Sequence, residues 1–256
     1  MKYFVTSDTH SFFNEMLEAI HDKGFEENNP DHKLIICGDV FDRGDQSVEI
    51  YDYLRRIDDQ FIYIKGNHED LLEDCIRDFR LGYAPASHHW SNGTVKTLTN
   101  LAGYDYKTFS FRDSVAMNRI TTKGEEVLQW INSKAIDYLV IGDIILVHGW
   151  IPHGYNTVED LLNSSSGEWK EARWANGMDD WRMGIGIHDC TIVCGHWHSS
   201  YGNYTIHHIV SAEFPDKASD ELEKAFQPFV APGIIAIDSC CAYSGFLNCI
   251  VLEVEE

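Results

Sequence analysis

Basic residues are scarce in this chain: 20 lysines and arginines stand against 41 aspartates and glutamates, for a formal net charge of −21. A field of that sign repels phosphate backbones, which argues against a partner such as long nucleic acid bound by counterion release. Any phosphate chemistry must then rest on bound cations or on a few placed arginines. Long apolar runs are also missing, so there is no membrane span to place and Met1-Lys2-Tyr3-Phe4-Val5-Thr6 does not read as a secretory leader. The expectation is a cytoplasmic protein with no membrane partner. Paired Cys-x-x-Cys spacing is absent among the seven cysteines (Cys37, Cys75, Cys190, Cys194, Cys240, Cys241, Cys249), which sets aside a zinc knuckle or disulfide framework in favour of reduced thiols in the core. Neither a repeat nor a low-complexity linker divides the chain, so a single catalytic domain over 1–256 is expected.

What is present is a series of short β-rich runs, each ending in polar or glycine-containing residues: Tyr3-Phe4-Val5, Leu34-Ile35-Ile36-Cys37, Phe61-Ile62-Tyr63-Ile64, Ile144-Ile145-Leu146-Val147, Thr191-Ile192-Val193-Cys194 and Ile234-Ile235-Ala236-Ile237. Helical stripes lie between the early ones, with Phe13, Met16, Leu17 and Ile20 on one face and Val48, Tyr51, Leu54 and Arg55 on another. Tyr138 to Val147 reads as two strands about a Gly142-Asp143 turn, and Tyr204 to Val210 and Phe246 to Val254 read as further strands. Residues 69–134 are mainly helical and suit a cap over the strand ends. The fold class expected is α/β (α+β): a mixed two-sheet core flanked by helices.

Chemistry-bearing residues stand where strands end. Ser7-Asp8-Thr9-His10, Gly38-Asp39-Val40-Phe41-Asp42-Arg43-Gly44, Gly66-Asn67-His68-Glu69, Val147-His148-Gly149 and Gly195-His196-Trp197-His198 each follow an apolar run. Loops beyond the carboxyl ends of strands with helical crossovers converge on one crevice, so these segments can meet in space. Taken singly each is weak, since a lone Asp-x-His after a strand is more often a turn and a surface histidine. Jointly they supply carboxylate, imidazole and amide oxygen, the donor types that borderline divalent metals accept.

In this order the segments resemble the calcineurin-like metallophosphatase superfamily, and within it the phosphoprotein phosphatase branch that includes bacterial and phage serine/threonine phosphatases. Ile237-Asp238-Ser239-Cys240 with Tyr243-Ser244-Gly245 is similar to the branch's terminal strand motif. The resemblance implies two mixed β-sheets packed face to face, and two divalent metal ions bridged by Asp39, with manganese, iron or zinc as candidates. It implies that Asp8, His10 and Asp39 hold the first metal, with His198 adding to it, and that Asp39, Asn67, His148 and His196 hold the second. Two such metals would supply hydroxide near neutral pH. By the same resemblance Arg43 would bind the phosphoryl group, and His68, held by Asp42, would protonate the leaving oxygen.

Departures from the branch pattern weaken particular inferences. Ser7 and Ser11 replace glycines, and Trp150 follows His148-Gly149 where a second glycine is usual. Lys65 stands where an arginine normally grips phosphate, turning a planar fork into a point charge. Arg173, beside Trp174, is the nearest candidate for a further arginine. Gly195-His196-Trp197-His198 is of the phosphodiesterase type, where the phosphatase branch has Gly-His-Thr. The expected activity is a phosphomonoesterase acting on phosphoserine or phosphothreonine, the substrate being a phosphorylated protein or a small phosphoester. The alternatives are hydrolysis of dinucleoside polyphosphates, phosphodiesterase action, and a metal-free protein-binding scaffold. His21, His32, His88, His89, His153, His188, His207 and His208 match no superfamily position, and the aromatic group around Trp169, Trp174 and Trp181 reads as packing.

Overall fold

A computed structural model of the chain describes residues 1–208 and 220–254. The strands are β1 (Lys2–Thr6), β2 (His32–Cys37), β3 (Phe61–Ile64), β4 (Ala135–Ile136), β5 (Leu139–Ile141), β6 (Ile144–Leu146), β7 (Thr191–Cys194), β8 (Phe229–Ala231), β9 (Ile234–Ala236) and β10 (Ile250–Glu253). The helices are α1 (Phe13–Asp22), α2 (Ser47–Arg56), α3 (Asn67–Arg80), α4 (Ser87–Ser91), α5 (Thr94–Leu101), α6 (Ser114–Lys134), α7 (Val158–Leu161), α8 (Ser166–Ala172), α9 (Gly177–Arg182), α10 (Ser199–Thr205), α11 (Asp220–Phe226) and α12 (Cys241–Ser244).

Two five-stranded mixed sheets result, one ordered β10-β1-β2-β3-β4 and the other β5-β6-β7-β9-β8. β1 to β4 run parallel with β10 antiparallel at one edge, while β6, β7 and β9 run parallel between the antiparallel edges β5 and β8. The period-two alternation of each strand decides which layer a side chain joins. On β2, Ile35 and Cys37 enter the core shared with Val5, Ile64, Leu146, Val193 and Ile237 of both sheets, whereas Leu34 and Ile36 face the helices on the outer side. β7 divides the same way, Val193 lying between the sheets and Ile192 and Cys194 packing outward with Trp150, Trp169 and Met178. The architecture is therefore a sandwich of two sheets with a helical layer on each outer face.

The sequence-derived strands and the Gly142-Asp143 hairpin are present, with ends shifted by a residue or two. Two expectations change. Tyr204 and Thr205 close helix α10 instead of opening a strand, and residues 209 and 210 lie outside the described residues. The last strand begins at Ile250, not Phe246, because Ser239 and Ser244 Oγ both donate to the Phe246 carbonyl and hold that stretch in a turn. β4 and β8 were not legible, being too short to show a period. All seven cysteines are free, five of them buried. Within 69–134, helices α3, α5 and α6 also cover the outer face of the first sheet, where Trp130 stacks on Phe61 with ring centroids 6.2 Å apart.

Candidate metal centre

The parallel strands deliver their following residues to one edge of the sandwich: Asp8 after β1, Asp39 after β2, Asn67 and His68 after β3, His148 after β6, His196 after β7 and Asp238 after β9. Tight turns there put non-glycine residues into the left-handed region. Asp8, His10, Asp39, Asp42, Arg43 and His196 all have φ between 45° and 78°, as do Ser11 and Cys240. Each such residue costs about 1–3 kcal/mol, and clusters of them persist where surrounding structure over-determines a site. Ser11 is one of the positions at which the resembled branch has glycine; here it accepts φ 58° and its hydroxyl is bonded to Ser47 Oγ at 3.0 Å.

Asp39 is the hub. Its Oδ1 accepts the backbone N–H of His68, at the start of α3, at 2.9 Å and lies 3.3 Å from His148 Nε2. Its Oδ2 lies 3.7 Å from His10 Nε2 and 3.8 Å from His68 Nε2. Ligand atoms of His10, Asp39 and His68 lie within 4.8 Å of one another, and so do those of Asp39, His148 and His196. Burial alone would raise the Asp39 pKa, but His148, His68, His10 and His196 together hold it well below the usual carboxylate range.

The donor chemistry fits cations. His10 Nδ1 donates to the Phe41 carbonyl at 2.8 Å, His148 Nδ1 to the Cys37 carbonyl at 2.8 Å, and the His196 ring to the Trp174 carbonyl. Backbone carbonyls thus take one ring N–H and leave the other nitrogen's lone pair for the site, the arrangement that orients metal-ligating imidazoles. His148 Nε2 then faces Asn67 Oδ1 at 2.7 Å and Asp39 Oδ1 at 3.3 Å, so a ring nitrogen and two oxygens converge. A cation there would draw on all three. Burial, reinforced by His148, pushes His196 down to about 3, and burial with Arg43 and His68 lowers His10, so both offer neutral nitrogens. Asp8 carries the opposite strain: burial, then Asp238 and Asp39, raise its pKa, as expected of carboxylates crowded without a counter-charge.

Beside this cluster His68 Nδ1 lies 2.7 Å from Asp42 Oδ2, which also accepts the Thr94 hydroxyl at 2.8 Å. Burial opposes charge on His68, but Asp39 and Asp42 outweigh it and raise the imidazole to about 9. Arg43 is exposed next to Asp42 and near enough to influence both His10 and His68. The backbone of Gly93 at the start of α5 packs against it so closely that a Cβ there would lie 2.5 Å from the Arg43 nitrogen.

Other sequence-derived residues sit differently. Asp8 Oδ2 accepts the N–H of His196 at 2.9 Å, and Asp8 lies outside both groups of converging ligand atoms found among the described residues. So does His198, whose ring is 6.3 Å from that of Phe226. Lys65 is paired with Asp70 at 2.8 Å and Glu73 at 3.8 Å. Arg173, only 5% exposed, donates to Asp70 Oδ2 at 2.9 Å and to Asp137, tying α3 to the second sheet. Trp150 fills the core and donates to the Ile185 carbonyl at 3.0 Å.

Sequence reasoning left two contributors without a role. Glu69 accepts backbone N–H groups of Gly66 at 2.7 Å, Asp39 at 3.0 Å and Val40 at 3.0 Å, fastening two site loops to one carboxylate. Its position three residues after Gly66 was the available signal, since a carboxylate there reaches back over a helix start. Asp238, buried beside Asp8, was visible only as part of a motif.

Residues 1–227 match a family model described as calcineurin-like phosphoesterase. Among curated proteins, the asymmetrical bis(5'-nucleosyl)-tetraphosphatase PrpE of Bacillus velezensis is 30% identical over 161 residues, covering 59% of this chain and 57% of that protein. The symmetrical bis(5'-nucleosyl)-tetraphosphatase of Aromatoleum aromaticum is 22% identical over 192 residues, covering 71% of this chain and 60% of that protein. The chain thus spans under two thirds of the length of either relative. A cold-active protein-tyrosine phosphatase structure from a psychrophilic Shewanella superposes with a TM-score of 0.51 at 14% identity, covering 98% of this chain and 75% of that one, a likeness of fold alone.

Proposed function

Since this chain belongs to the calcineurin-like phosphoesterase family, we propose that it is a metal-dependent phosphoester hydrolase in which Asp39 would be shared by two divalent cations and His68 is the general acid. The observation that carries this reading is the His68–Asp42 pair at 2.7 Å, buried against the carboxylate on which the histidines converge. His10, Asp39, Asn67, His148 and His196 would hold the cations, with Asp8 and His198 as further donors. Bound there, two such ions would supply Lewis acidity and a source of hydroxide near neutral pH. Manganese, iron and zinc all suit the mixed nitrogen and oxygen set.

The chain's own residues perform the rest. Arg43, exposed at the rim, grips two phosphoryl oxygens as negative charge grows on them. His68, held by Asp42 at 2.7 Å, gives its proton to the departing oxygen. Asp42 is fixed for this task by the Thr94 hydroxyl and by its own N–H, which donates to Thr97 Oγ1 at 3.0 Å. In this reading α4 and α5 act as the cap anticipated for 69–134, and Lys65 and Arg173 serve through Asp70.

For the substrate we propose a dinucleoside polyphosphate, on the strength of the two tetraphosphatases to which the chain is similar. A phosphoserine or phosphothreonine in a protein is the second reading, favoured by the exposed Arg43 beside the Asp42-Arg43-Gly44 turn. Manganese-dependent hydrolysis of diadenosine tetraphosphate, a phosphoserine peptide and a bis-aryl phosphodiester, compared across the native chain, Asp39→Asn and His68→Asn, tests both. Fastest turnover of the tetraphosphate, with collapse in Asp39→Asn and a loss of about tenfold or less on that substrate in His68→Asn, supports the proposal. Faster peptide hydrolysis moves the substrate to the second reading, and no turnover with any metal removes the enzyme reading.

A further inference from the structure

Two half-exposed indole rings belong to residues near His196, one beside it in space and one next to it in sequence. Trp174 is 49% exposed, and its ring meets the His196 ring edge-on at 6.0 Å and 84°. Trp197, the next residue after His196, is 40% exposed and meets Tyr201 at 5.7 Å. The core does not account for the position of Trp174. On α8 the inward-facing positions are already filled by Trp169 and Ala172, while the buried Arg173 is spent on Asp70 and Asp137. That anchoring fixes the chain at the end of α8. Gly149 lets it approach closely, because a Cβ at Gly149 would lie 2.5 Å from the Ala172 carbonyl and 2.7 Å from that of Arg173. The carbonyl of Trp174 then takes the His196 ring N–H, so the residue that orients a candidate metal ligand also sets a half-exposed indole against that ligand's ring.

We propose that Trp174 is a base-stacking platform: a nucleobase joined through its phosphates to the metal centre lies on the exposed part of this indole. The inference rests on the dinucleoside polyphosphate reading and names the residue that would select that class. An indole face accepts any nucleobase, since stacking requires only a π-surface, and such stacks are worth roughly 5- to 150-fold in binding when the aromatic is removed. A phosphate-only ligand gains nothing from the ring.

The test uses the manganese-loaded protein and measures KM for diadenosine tetraphosphate and the inhibition constant of inorganic phosphate on the native chain, Trp174→Leu and Trp174→Phe. Leucine keeps apolar bulk without the ring, phenylalanine keeps a ring, and circular dichroism of each variant establishes folding. The expected result is a ratio of KM to phosphate inhibition constant that rises about tenfold or more in Trp174→Leu and largely recovers in Trp174→Phe. A ratio within twofold in Trp174→Leu, in a protein that does hydrolyse the tetraphosphate, overturns the platform and leaves the substrate reading standing. Failure of the native chain to hydrolyse the tetraphosphate overturns both. Should Trp174→Leu not fold, Trp174→Phe decides alone, because a ratio raised more than fivefold despite the retained ring contradicts stacking.

Discussion

Replacing His68 with asparagine should slow the reaction by an amount that depends on the leaving group. The imidazole is buried, its Nδ1 is 2.7 Å from Asp42 Oδ2, and in the metal-free chain Asp39 and Asp42 raise its pKa to about 9. Proton transfer from a placed acid contributes about 10²–10⁴-fold, or roughly 3–5 kcal/mol of barrier. That full loss is expected with a phosphoserine peptide, whose alkoxide leaves badly without a proton. With diadenosine tetraphosphate, or with a phenyl phosphate carrying strongly electron-withdrawing groups, the leaving oxygen is already stable and the loss should be about tenfold or less. The assay is kcat/KM across a series of substituted phenyl phosphates, with manganese content measured in each protein because His68 also lies within reach of Asp39. A steeper dependence on leaving-group pKa in the variant supports the assignment. An equal slowing of all substrates at full metal content would refute it.

Three further outcomes follow from the geometry. Gly66→Ala should lose metal binding and about 1–3 kcal/mol of stability in a denaturant titration, because the added Cβ would overlap Asp39 Oδ1 and stand 2.8 Å from Glu69 Oε2. Glu69→Ala should cost several kcal/mol and lower Tm, since it orphans the N–H groups of Gly66, Asp39 and Val40, each worth about 1–3 kcal/mol when buried unpaired. Arg173→Met should destabilise by about 1–3 kcal/mol, because Asp137 loses its cationic partner while Asp70 keeps Lys65 at 2.8 Å, and Asp70→Asn combined with it should recover part of that loss, as a chemical-denaturation double-mutant cycle will show.

The helix stripes and central strands were legible because each has a period, and the metal-type residues because each follows a strand end. The pairing that governs Arg173 was not. Its partner Asp70 lies 103 residues away, and nothing local marks the arginine as bound inward to carboxylates. Lys65 was invisible for the same reason, its partners Asp70 and Glu73 being set by where α3 begins. Tyr204 to Val210 alternates like a strand, but Tyr201 and Gly202 carbonyls take the Thr205 hydroxyl and the Ile206 N–H and continue the helix end. Glu69 stands three residues after Gly66, which marks its reach back over the helix start, but nothing in the letters marks its partners Asp39 and Val40 in the other loop. No helix among the described residues is long and apolar enough to cross a membrane, in keeping with the lack of long apolar runs.

The measurement that bears most directly on the central claim is the manganese stoichiometry of the metal-stripped chain and of Asp39→Asn, by calorimetric titration with elemental analysis of the dialysed protein. Two ions per native chain, and loss of at least one of them in Asp39→Asn, is the result expected of a carboxylate that bridges two cations. Two ions retained by Asp39→Asn at unchanged affinity, or none bound by the native chain, would contradict it.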